Sequence, residues 1–118
     1  MEAKPQTVRV YETLEGTRPF DNWLRSLRDS RARQRVRTRI SRLRLGNIGD
    51  YKAVGDGVCE LRIDYGPGYR VYVGRDGDRI VILLIGGDKR TQDRDIETAK
   101  EYWADYKARE SEDDHGTS

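Results

Sequence analysis

Two arginines, Arg62 and Arg70, flank the turn Gly66-Pro67-Gly68 in the stretch VCELRIDYGPGYRVYV, each within an alternation of apolar and polar residues. Alternation of period two marks β-strands, in which residues two apart share a face. A three-residue loop puts Tyr65 opposite Tyr69, Asp64 opposite Arg70 and Arg62 opposite Tyr72. Glu60, Arg62, Asp64, Arg70 and Tyr72 then line one side of a hairpin, and Cys59, Leu61, Ile63, Val71 and Val73 line the other. The second side is the core face. The first therefore presents two guanidiniums, a phenol and two carboxylates on a sheet surface, where the GGDKR loop after the neighbouring strand adds Lys89 and Arg90. Guanidinium binds phosphate through two parallel hydrogen bonds, and cations already in place stabilise the charge that develops on a phosphorane oxygen. Such a cluster suits a phosphodiester. The same residues also read as ordinary surface ion pairs, Arg70 with Asp64 and Arg62 with Glu60 or Asp64.

Positive charge is concentrated again upstream. Residues 31–47, RARQRVRTRISRLRLGN, hold seven arginines and no carboxylate, although the formal net charge of the chain is only +2. Residues 23–45 hold nine arginines and one acid, Asp29, so the rest of the chain is net negative, with many of its acids between Asp93 and Asp114. The molecule thus has a basic and an acidic side. Like charges at i, i+4 repel, and a face without interspersed acids points to nucleic acid or an acidic partner, against the plainer reading of a solvated face. The candidates are Arg31, Arg33, Arg35, Arg37, Arg39, Arg42 and Arg44, with Lys52 beyond them. Tyr65, Tyr69, Tyr72 and Trp103 could stack on bases, though Trp103 falls on an apolar helical stripe.

Composition narrows the chemistry. His115 is the only histidine, so a zinc site, a Ser-His-Asp triad and a histidine base are not expected, and no metal or cofactor is. One cysteine, Cys59, cannot form an internal disulfide, and no run resembles a signal peptide or a spanning helix, which implies a cytosolic setting without membrane partners.

The 118 residues make one domain over 1–109 with a polar, disordered tail over 110–118. Residues 7–13 alternate as a strand, and Thr17 caps a helix with Pro19 in its first turn and Phe20, Trp23, Leu24 and Leu27 on its buried face. Asp29-Ser30 caps a second helix, whose apolar stripe is Ala32, Val36, Ile40 and Leu43 and whose whole exposed face is arginine. Strands follow over 51–54, 58–65, 69–73 and 79–85, the last apolar at consecutive positions and thus central and covered on both faces, with Gly86-Gly87 ending it. A last helix, capped by Thr91, buries Ile96, Ala99, Trp103 and Tyr106. The expected fold is α+β: an N-terminal strand, a helical hairpin, a curved, mainly antiparallel sheet and a C-terminal helix.

The blocks ELR, GYR and GGDK, in this order after an arginine-rich helix pair, resemble the RelE/ParE toxin superfamily of bacterial type II toxin–antitoxin modules, in its HigB-like branch of addiction module killer proteins. The resemblance spans about residues 8–106 and implies a RelE-like fold and a ribosome-dependent, metal-independent mRNA endonuclease that arrests translation. It implies that Arg70 binds the scissile phosphate, that Arg62 is a basic partner on the preceding strand, and that Lys89 and Arg90 assist the transition state and leaving group. The chain departs from RelE in having Glu60 where a lysine stands and Ile96 where a tyrosine stands, which leaves the general base open, with Glu60 and Tyr72 as candidates. The implied partners are the ribosome and mRNA, and a helix-turn-helix antitoxin of the HigA type that alone contacts operator DNA. A ParE-like gyrase inhibitor without nuclease activity, or a nucleic-acid-binding module without catalysis, are the alternatives.

Overall fold

The structure, a computed structural model, describes residues 4–116. The chain runs β1 (Thr7–Val10), α1 (Pro19–Ser26), α2 (Ser30–Arg44), β2 (Tyr51–Gly55), β3 (Val58–Ile63), β4 (Tyr69–Asp76), β5 (Ile80–Asp88), a single 3-10 turn (Lys89–Thr91) and α3 (Gln92–Gly116). The five strands form one mixed sheet in the order β1-β5-β4-β3-β2, antiparallel except where β1 lies parallel to β5. The fold is α+β, with α1 and α2 on one face of the sheet and α3 on the other.

Each face has its own apolar core. Phe20, Val36, Ile40 and Leu43 of the first two helices meet Leu61, Ile63, Val71, Val73, Val81 and Leu83. Ala99 and Trp103 of α3 meet Val58, Tyr72, Ile82 and Leu84. Consecutive β5 residues thus enter opposite cores, which is why this strand is apolar without alternation. β4, not β5, is the middle strand.

Local signals explain most element ends. The Asp29 side chain accepts from the Arg31 backbone N–H at 2.9 Å and starts α2. Thr17 does not cap α1: Arg18 holds the N-cap position without a side-chain bond, Pro19 supplies the preset φ of the first turn, and the Thr17 backbone N–H is satisfied by the Thr13 hydroxyl. β1 is shorter than expected because Tyr11 turns into the α3 core, its hydroxyl donating to Asp105 at 2.5 Å. Residues 110–116 are helical rather than disordered, and 117–118 lie outside the described residues. Arg109 anchors that extension, donating to the Glu12 carbonyl at 2.6 Å and to Asp105 at 2.7 Å.

Gly86 and Gly87 do not end β5, which continues through them to Asp88. They are glycines because other groups occupy the space of a side chain: a Cβ on Gly86 would lie inside the Trp23 ring, and one on Gly87 inside the Asp95 carboxylate. Gly74 of β4 stands in the same relation to the buried Trp103 ring. Gly74→Ala is expected to cost about 1–3 kcal/mol, read as a lower urea midpoint at unchanged slope.

Candidate phosphate-binding site

The β3–β4 register is Glu60 opposite Tyr72, Arg62 opposite Arg70 and Ile63 opposite Tyr69, so the connection spans residues 64–68 rather than three residues. The expected pairing of Arg62 with Tyr72 and Asp64 with Arg70 is therefore corrected by two positions. A slip of two leaves every side chain on its face, so the grouping of Glu60, Arg62, Arg70 and Tyr72 survives. Asp64 leaves the group and lies in the connection.

This face is not the open surface expected, because α3 covers half of it. Glu60 and Tyr72 are wholly buried. The next rung, Arg62 with Arg70, lies beyond the start of α3; their side chains are 40% and 12% exposed. Arg70 in turn pairs with Gly87, and Tyr69 with Asp88, which brings the end of β5 alongside. Lys89 and Arg70 flank Gly68, where a Cβ would come within 3.8 Å of Lys89 Cβ and 3.0 Å of Arg70 Nη1. Arg62, Arg70 and Lys89 thus gather at one end of the sheet.

The buried carboxylate organises them. Glu60 Oε1 accepts from Arg62 Nε at 3.2 Å and lies 3.7 Å from Arg70 Nε. Oε2 accepts from the Tyr72 hydroxyl at 3.1 Å and from Gln92 Nε2 at 2.8 Å. Burial alone would raise the Glu60 carboxyl, but the hydrogen bonds from Gln92, Arg62 and Tyr72 and the Arg70 charge outweigh it and hold the group below the usual range. Burial, together with the adjacent Glu60 charge, pushes the Tyr72 phenol far up. Neither group has the exposure or the proton affinity to meet a substrate. Glu60 and Tyr72 thus lie beneath the arginines rather than on the surface expected: the one carboxylate draws the Nε edges of both guanidiniums inward, Arg62 keeps its outer end partly exposed, and Arg70 donates from Nη1 to the Gly68 carbonyl at 2.7 Å.

The cations after β5 divide. Asp88 accepts from the Arg90 backbone N–H at 2.8 Å and from Arg90 Nη2 at 3.0 Å, capping the 3-10 turn and engaging that guanidinium. Its carboxyl is held low by the side-chain hydrogen bond from Arg90. Lys89 is exposed and in no ion pair among the described residues. The Thr91 hydroxyl does not cap α3 through that helix's backbone; it donates to the Asp95 carboxylate at 2.5 Å, the group packed on Gly87. Gln92, Thr91 and Asp95 do not stand out in the sequence as site residues, although Gln92 and Asp95 precede the apolar stripe of α3 at helical spacing, a position that marks them as inward-facing.

The arginine helix is amphipathic as expected, and Ala32, Val36, Ile40 and Leu43 are all buried. Its exposed face is not wholly arginine as expected: Gln34, Thr38 and Ser41 interrupt it, and one arginine is absent from it. Arg39 is 8% exposed and donates from Nη2 to the Asp50 carbonyl at 2.6 Å and from Nε to the Arg62 carbonyl at 3.4 Å, tying α2 to the strand that carries the site. Burial holds its guanidinium below the usual value. Arg39 is thus a structural strut, not a nucleic-acid contact. Arg39→Met is expected to lower stability by about 1–3 kcal/mol through orphaned carbonyls, measured by urea unfolding. Arg33 is likewise spent, on the Leu27 carbonyl. Arg31, Arg35, Arg37, Arg42 and Arg44 are exposed, and Lys52, on the edge strand, pairs in register with Glu60 and shares its face.

Among the described residues no cluster of three or more His, Cys, Asp or Glu has the geometry of a metal site, and no helix is long and apolar enough to cross a membrane. No known family profile matches the chain. Over 94 residues it is 53% identical to an uncharacterized protein of Haemophilus influenzae, a match covering 80% of this chain and 91% of that protein. On that identity and coverage, the chain belongs to the same family as the Haemophilus influenzae protein.

Proposed function

We propose that the chain is the toxin of a type II toxin–antitoxin module, a HigB-like member of the RelE/ParE superfamily that cleaves mRNA on the ribosome without a metal. The observation that carries this reading is the open rung of Arg62 and Arg70 with Lys89 beside it, oriented by a sealed carboxylate. The element order, a strand, a helical hairpin, an antiparallel hairpin and a C-terminal helix, supports the RelE-like assignment.

In this mechanism the ribose 2′-oxygen attacks the adjacent phosphorus, forming the O2′–P bond and breaking the P–O5′ bond. The products are a 2′,3′-cyclic phosphate and a free 5′-hydroxyl, the proton lost from O2′ being balanced by the one gained at O5′. Nucleophile and electrophile already belong to one strand, so alignment supplies much of the rate. Arg62 and Arg70 hold the non-bridging oxygens as negative charge grows, and Lys89 faces the leaving oxygen. Protein and substrate meet in the bacterial cytoplasm, and a HigA-like helix-turn-helix antitoxin holds the toxin silent.

Primer extension on a translated mRNA after brief induction tests the reading. Cuts inside codons that vanish when the start codon is removed are the expected result. Growth arrest with an SOS response and no cuts would replace it with gyrase inhibition.

A further inference from the structure

The exposed arginines of α2 fall on two flanks. Arg37 and Arg44 lie on the flank that faces α1, near Phe20 and Leu24. Arg35 and Arg42 lie on the other, where they and Arg62 line a groove of about 530 Å³ between α2 and the β3–β4 end of the sheet. Arg62 stands at the corner between the two: its backbone carbonyl is on the groove side, where Arg39 Nε donates to it, and its side chain belongs to the open rung on the α3 face of the sheet.

Arg35 is held with its donors unspent. The Arg35 guanidinium sits 5.2 Å over the Tyr65 ring, whose hydroxyl donates to Asp29 at 2.9 Å. An aromatic face restrains a guanidinium without consuming its in-plane N–H groups. Asp50 and Asp64 also line the groove, but neither lies within ion-pair distance of Arg35 or Arg42. Arg39 spends its donors on backbone carbonyls and keeps its charge, so the guanidiniums of Arg35, Arg39 and Arg42 outnumber the two carboxylates. Such a cleft concentrates anions. Its volume is that of a small-ligand cleft, enough for a nucleotide-sized segment of one strand.

We propose that this groove is the track of a single RNA strand that rounds the corner of the sheet at Arg62, with Arg35 and Arg42 on the α2 side binding phosphates that neighbour the one held by Arg62 and Arg70 on the α3 side. The identity of the strand rests on the nuclease reading; the track itself rests on the groove.

The test is binding of a 2′-O-methyl oligoribonucleotide of about eight nucleotides, which lacks the attacking hydroxyl, followed by fluorescence anisotropy across a salt series. The Arg35→Ala/Arg42→Ala and Arg37→Ala/Arg44→Ala double variants remove equal charge from the same helix, and alanine favours that helix. The first pair is expected to weaken binding about tenfold and to flatten the slope of log K against log salt by about 1.4, or about 0.7 for each phosphate that is no longer neutralised. The second pair is expected to weaken it by no more than about twofold, the long-range share of the removed charge. Equal weakening by the two pairs would overturn the track, as would no binding by the native chain at low salt. No weakening by either pair, the result if α2 serves an acidic protein, would overturn it too. A native chain that makes no cuts in translated mRNA but shows the tenfold difference keeps the track and loses the nuclease reading. One that cuts but shows equal weakening keeps the reading and loses the track.

Discussion

Arg70→Ala should abolish detectable cleavage of translated mRNA, a fall of about 10²- to 10³-fold, while the chain still folds. The rate loss follows from geometry. Arg70 stands on the middle strand opposite Arg62, its Nη1 donating to the Gly68 carbonyl at 2.7 Å and its Nε aimed at Glu60, so its planar fork is fixed before any phosphate arrives. Preset donors need no reorganisation as charge develops, and a mobile replacement cannot reproduce that. The fold survives because Glu60 keeps Arg62, Tyr72 and Gln92 as donors. The stability cost is about 1 kcal/mol, that of one ordinary hydrogen bond. Arg70→Lys separates charge from shape: it keeps the cation without the fork and is expected to retain part of the activity, near a tenth. Primer extension at matched expression reads the rates, and thermal unfolding checks the fold. Undiminished cuts from folded Arg70→Ala would remove the arginine rung from the mechanism.

What the sequence discloses and what it hides divide along one physical line, local period against tertiary cover. The alternation through ELRID and GYRVYV assigns each side chain to its face even though the loop is longer than its turn residues suggest, because a slip of two residues preserves sidedness. The α2 stripe is readable from spacings of four, four and three. The burial of Glu60 is not, because the segment that covers it begins at Gln92, far along the chain, and a strand's own alternation cannot tell a solvated face from one that a later helix closes. Arg39 is hidden by its type: it stands three residues after the buried Val36, at the edge of the stripe, where a long side chain carries its charge to backbone carbonyls. Gly86 and Gly87 look like a stop because glycine commonly ends strands, whereas here Trp23 and Asp95 occupy the space of their side chains.

Glu60→Gln should separate orientation from charge in a way that mere damage to the fold cannot. The carboxylate sits at 0% exposure, accepting from Arg62, Tyr72 and Gln92, with the Arg70 guanidinium 3.7 Å away. An amide of the same shape removes a negative charge from the site, so the potential that attracts RNA becomes more positive; its oxygen still accepts from Arg62 and its NH₂ meets Tyr72 and Gln92, which can accept, but the charge that draws both guanidiniums inward is gone. RNA binding is expected to hold or tighten while the cleavage rate falls by about ten- to a hundredfold, the loss typical of misplacing reacting groups by up to an ångström. A purely structural role would weaken both together. Stability should fall by about 1.5–3 kcal/mol, the worth of hydrogen bonds to a charged group. The pH dependence gives an independent reading. A carboxyl held below its unfolded value of about 4.3 adds stability above that pH and loses it as pH drops through the lower folded value. The native chain should therefore lose stability below about pH 4.3 in part through Glu60, and Glu60→Gln should show a shallower acid limb in urea midpoints taken across that range. If Glu60→Gln cuts mRNA at the native rate, the arginines hold their geometry without the carboxylate and Glu60 has no positioning role; a lowered rate with tighter RNA binding assigns it that role.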